Sequence, residues 1–155
     1  MTAFDGPGPF DGDAAYNYIN GLLDVPAELR IAIVGAFSDV AAGGVAARMP
    51  EAYRKMLGPS SAAYIDVDDG VWAWAAAEML AIALGFPTET PVPEQVARAA
   101  RAIKDPEDMA ASAAVALKVV CNPGSSELAS LLSGPGGIEA LQRMQRLSAA
   151  LSSLE

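Results

Sequence analysis

The chain has 155 residues, 52% of them hydrophobic, and ten basic against nineteen acidic side chains give a net charge of −9. That length admits one domain with a real core and not two comfortable ones. The charge repels polyanions and excludes nucleic acid as a partner, because that affinity comes mostly from Lys and Arg neutralising phosphates. The chain contains no histidine, which removes the commonest general base and metal ligand, and with them His-dependent triads and zinc-protease sites.

The N-terminus, MTAFDGPGP, has neither a basic stretch nor an apolar run and does not read as a signal peptide. Residues 6–13, GPGPFDGD, form a stiff, turn-prone loop. Its glycine spacing misses the dinucleotide fingerprint, no strand precedes it, and its prolines remove amides that a phosphate would need. Phe10 is the apolar anchor of such a loop. Asp11 and Asp13 sit where carboxylates meet the unpaired amides of a first helix, which Asp13 caps and which runs through Leu23. Pro26 opens a second helix to about Ala42, with Leu29, Ile33, Ala36, Phe37 and Val40 at the 3.6-residue period. Gly43 and Gly44 stop it, and residues 45–57 read as a short helix broken near Pro50.

A third helix begins near Asp68 or Asp69 and ends before Gly85, a glycine of the type that terminates helices. It is apolar on nearly every face, the mark of a central helix, yet it carries Glu78, which shares a face with Val71, Trp74, Ala75 and Ile82. Its longest apolar run is too short to span a bilayer. Pro93 and Glu94 open a shorter helix to about Ile103, and Asp105 and Pro106 open another through Cys121. The sole cysteine permits no disulfide within the chain and reads as a buried, inert thiol. Ser125 or Ser126 caps a short segment to Leu132. After GPGG, a last helix carries Ile138, Leu141, Met144, Leu147 and Leu151. Strand signals are nearly absent. The expected fold is a single all-α domain over residues 1–155, with six to seven short-linked helices, a rigid loop at 1–12 and a peripheral C-terminal helix within 134–155.

Two constellations invite chemistry. The run YIDVDDG at 64–70 places Tyr64, Asp66, Asp68 and Asp69 ahead of Glu78. A calcium loop starting at Asp66 fails, because Gly70 and Glu78 fall one position off the register such loops require. Capping and a solvated acidic loop explain those aspartates without a metal or cofactor. Glu78 is expected to be buried, hence paired, hydrogen-bonded or protonated. The partner expected for it is the backbone of the GPGPFDGD loop.

Together, Gly6 to Ala14 (GPGPFDGDA), Tyr64 to Glu78 ending in AAAE, and Ser126 to Leu128 (SEL) resemble an uncharacterised bacterial family, domain of unknown function 4259. The resemblance implies a shared fold and carries no activity. Residues 1–92 hold twelve acidic and four basic side chains, while residues 93–155 hold seven and six, so a basic protein would be steered to the first half. Three functions stay open: a non-enzymatic, cytoplasmic protein-binding module of immunity or regulatory type, a divalent-metal carboxylate enzyme using Asp11, Asp13 and Glu78, or a helical domain that assembles with itself.

Overall fold

A computed structural model describes residues 9–10, 15, 19, 21–41, 65–87, 92–134 and 136–154. The protein is all-α. Its described residues hold α1 (Pro26–Ala41), α2 (Val67–Ala83), α3 (Glu94–Arg101), a 3-10 turn at Pro106–Met109, α4 (Ala110–Val120), α5 (Glu127–Leu132) and α6 (Ile138–Ser152), with no strand among them. Ala15 and Ile19 are helical and fully buried, but residues 21–24 form a turn, so the first expected helix does not run through Leu23. Asp11, Asp13, Tyr64 and the helix expected within 45–57 lie outside the described residues.

The centre is α2. Every residue from Asp69 to Ala81 is buried, so the helix that is apolar on all sides is also surrounded on all sides. Its alanines let neighbouring helices approach closely, with α1 and α4 packing against it and α3 alongside. Gly85 ends it in the left-handed region, at φ 83°, where a side chain would be strained. There the amide of Phe86 donates back to the Ala81 carbonyl at 2.9 Å. In α1 the buried set is Leu29, Ile33, Ala36, Phe37 and Val40, the five positions its periodicity marks.

Three further expectations are corrected. The central helix begins at Val67, not Asp68 or Asp69, because Asp66 is its cap: the Asp66 side chain accepts the amide of Asp69 at 2.8 Å. The helix expected from Asp105 starts as a 3-10 turn, with Asp105 itself in the left-handed region at φ 49°, and becomes α-helical only at Ala110. The C-terminal helix is not peripheral. Leu141, Met144, Leu147 and Leu151 of α6 are buried against α4, and the Ser148 hydroxyl donates to the Ala114 carbonyl at 3.0 Å.

Candidate functional site

The first place where chemistry concentrates is the middle of α2. Glu78 is fully buried. Its Oε2 accepts the Trp74 indole N–H at 3.0 Å, a contact made possible by the one-turn spacing that stacks positions i and i+4 on one face. From α6, Arg143 closes a two-pronged ion pair, its Nη2 donating to Oε1 at 2.7 Å and its Nε to Oε2 at 3.1 Å. Arg143 is only 6% exposed, so both charges are out of water and each depends on the other.

Apart from Phe10, the loop amides expected to reach Glu78 lie outside the described residues. The described donors to its carboxylate are a guanidinium 65 residues away and an indole, while Pro9 and Phe10 are the only described part of the GPGPFDGD loop. Phe10 is buried within the core, as an anchor should be. The apolar period of the last helix, Ile138, Leu141, Met144, Leu147 and Leu151, does not mark Arg143. The signal that could have found it is the rule that a buried carboxylate needs a cation, and arginine's planar fork suits that task best.

The second place is the start of α2. Ile65 and Ser126 form an isolated parallel bridge. The Ile65 amide donates to the Ser125 carbonyl at 2.8 Å, and the Glu127 amide donates to the Ile65 carbonyl at 2.9 Å. The bridge sets two helix N-termini side by side. Ser126 caps α5 by accepting the Ala129 amide at 3.2 Å, and Glu127 reaches across to accept the Val67 amide at 2.8 Å. Gly70 makes the close approach possible, since a Cβ there would lie 3.1 Å from the Leu128 Cβ. The Asp66 aspartates-to-Glu78 motif and the SEL motif are thus one clasp. The sequence assigns neither Glu127 nor Gly70 this role, because their partners lie about sixty residues away along the chain.

The clasp is acidic. Burial raises the Asp66 carboxyl above its ordinary 3.8, the Asp69 amide opposes that shift, and the negative charges of Asp69, Asp68 and Glu127 add to it. The carboxylates have structural tasks: one Asp66 oxygen and one Glu127 oxygen are spent on helix amides. Among the described residues no three His, Cys, Asp or Glu side chains are placed to hold a metal ion. Both Glu78 oxygens face donors, which leaves that carboxylate poorly suited to bind a cation.

The third feature is on the surface. Helix α1 keeps Ile31 71% exposed, with Val34 and Val25 partly exposed beside it. No helix of the described residues is long and apolar enough to cross a membrane.

The buried ion pair, the double-capped clasp and the exposed apolar residues of α1 all belong to one all-α fold. The chain belongs to the family described as Domain of unknown function (DUF4259), whose model matches residues 46–134. That span contains Glu78 and the whole clasp but neither α1 nor Arg143. No curated protein and no solved structure matches the chain.

Proposed function

We propose that this protein is a cytoplasmic, non-enzymatic module that binds a basic protein partner. The observation that carries the reading is helix α1, where Ile31 stands 71% exposed in the more acidic half of the chain. Acidic fields raise the encounter rate of cationic partners, and apolar contact then holds them. The engagement of Glu78 by Arg143 and Trp74 supports the same reading, because it occupies one of the three carboxylates, with Asp11 and Asp13, that a metal-dependent enzyme would use.

Cross-linking in the cells that make the protein, followed by reconstitution with the purified partner, tests this. The expected result is a one-to-one complex whose Kd rises steeply with salt. A complex indifferent to salt would overturn the electrostatic part. A melting temperature raised several degrees by micromolar Mg²⁺ or Mn²⁺ would instead demand a real metal site by linkage and would favour the carboxylate enzyme.

A further inference from the structure

Helix α1 is apolar on two opposite faces, and the core takes only one of them. The buried face is Leu29, Ile33, Ala36, Phe37 and Val40. Opposite to it run Ala27, Ile31, Val34, Ser38 and Ala41, all exposed. Their spacing is four, three, four, three, which is the heptad seam along which one helix packs against another. Over these two heptads the seam is about 21 Å long at 1.5 Å per residue. Small side chains at Ala27, Ser38 and Ala41 bracket Ile31 and Val34, so a second helix can approach closely and take the two branched side chains as knobs.

The charges beside the seam select its occupant. Asp24 and Glu28 lie exposed at one flank. On the other flank stands Arg30, the only basic residue of α1, and the protein already neutralises it: its Nε donates to the Lys104 carbonyl at 3.0 Å and its Nη2 lies 3.9 Å from Asp108. Glu107 and Asp108 carry the acid further along that side and are themselves exposed. A second copy would bring the same acidic flanks and the same charge of −9, so like would face like.

We propose that this seam docks an amphipathic helix of a partner protein, with aliphatic residues at its a and d positions and Lys or Arg beside them. The proposal rests on the protein-binding reading above and names the surface and the chemistry of the partner. The probe is a fluorescein-labelled 21-residue helical peptide with Leu and Ile at a and d and Lys at e and g, compared with the same peptide carrying Glu at e and g. Fluorescence anisotropy should show the Lys peptide binding at least tenfold tighter than the Glu peptide, and weakening several-fold between 50 and 300 mM NaCl. Ile31→Asp should weaken it at least tenfold. Because that side chain is mostly in water, the variant should keep its melting temperature. Leu131→Asp, at an exposed aliphatic of α5, should bind like the wild type. Equal binding of both peptides, no binding of either, unchanged binding by Ile31→Asp, or an equal loss in Leu131→Asp would each overturn the proposal. A dimer in sedimentation velocity that Ile31→Asp disperses would give the seam to a second copy and overturn it too. If the reconstituted native partner binds Ile31→Asp as tightly as wild type, the seam falls while the protein-binding reading stands.

Discussion

Removing either half of the Glu78–Arg143 pair takes a two-pronged ion pair from a buried charge, and the two losses should not add. Glu78→Met leaves the Arg143 guanidinium in the core without the carboxylate 2.7 Å from its Nη2. Arg143→Met leaves a fully buried carboxylate with the Trp74 indole as its remaining described donor. Breaking a buried pair from one side costs about 3–5 kcal/mol, most of it the penalty of an uncompensated charge. The single variants therefore sum to roughly 6–10 kcal/mol, comparable with the whole stability of a domain this size. Glu78→Met/Arg143→Met replaces both charges with unbranched apolar side chains of similar length. Such replacements are often neutral or stabilising, so the double variant should sit within about 2 kcal/mol of wild type.

The assay is urea unfolding followed by circular dichroism at 222 nm, with a coupling energy of about 3 kcal/mol or more expected from the cycle. Arg143 has interactions beyond Glu78, and their loss enters Arg143→Met and the double variant alike, so it cancels from the coupling. Additive losses would refute the reasoning. So would a Glu78→Met variant that loses less than about 1 kcal/mol, because the other interactions of Arg143 would then suffice to hold its guanidinium in the core.

The remaining predictions concern the clasp and the cysteine. Asp66→Asn keeps the cap, since Asn accepts the Asp69 amide as well as Asp does, but removes a partly buried charge crowded by Asp68, Asp69 and Glu127. The folded state holds the Asp66 proton more tightly than the unfolded chain, so this group's contribution is greatest below pH 3.8 and falls as pH rises through the folded value. Urea titrations should find Asp66→Asn at least as stable as wild type at pH 7, with its advantage shrinking towards pH 4; a variant clearly weaker at pH 7 would show that helix-dipole attraction outweighs burial. Gly70→Ala should lower stability by about 1 kcal/mol, because roughly 1–3 kcal/mol of overpacking exceeds the ~1 kcal/mol gained in helix propensity. A stabilised Gly70→Ala protein would mean that α5 yields freely at Leu128. Burial pushes the Cys121 thiol up to about 11 from 9.0, although it opens on a groove of about 430 Å³ with Lys118, Gln145 and Ser148. Iodoacetamide at pH 8 should then label native protein about 100-fold more slowly than urea-unfolded protein, since the thiolate is the nucleophile; equal rates would contradict the shift.

Local patterns carried the reading of the sequence well where one element decides the outcome. All five apolar positions marked on α1 are buried, because a 3.6-residue period needs no knowledge of its partner. The centrality of α2 followed from the same logic, as did the burial of Glu78. What stayed hidden was pairing across the chain. Arg143 and Glu78 are 65 residues apart, and nothing local to either names the other. The start of α2 was misplaced by one or two residues because three aspartates compete for the cap, and the choice of Asp66 is made by the Ile65–Ser126 bridge that holds it in extended backbone. A lone bridge leaves no alternating pattern for sequence to reveal. The seam on α1 was overlooked for another reason: a second apolar face blurs the contrast between core and solvent that marks an amphipathic helix.

The same long-range tie explains why α6 belongs to the core although the family match ends at residue 134. Glu78 lies inside that match, and the interior around it is too apolar to hold a lone carboxylate in its charged form. Its cation comes from outside the match, on a helix whose remaining buried face, Leu141, Met144, Leu147 and Leu151, packs on α4. Burial of those four side chains is worth about 1.5–3 kcal/mol each before entropy is counted, and it brings the guanidinium to the carboxylate. The pair in turn fixes the rotation of α6, because sliding the helix by one residue would turn Arg143 away by about 100° and break the ion pair. Apolar area supplies the attraction between α6 and the rest of the domain, and the ion pair supplies its register.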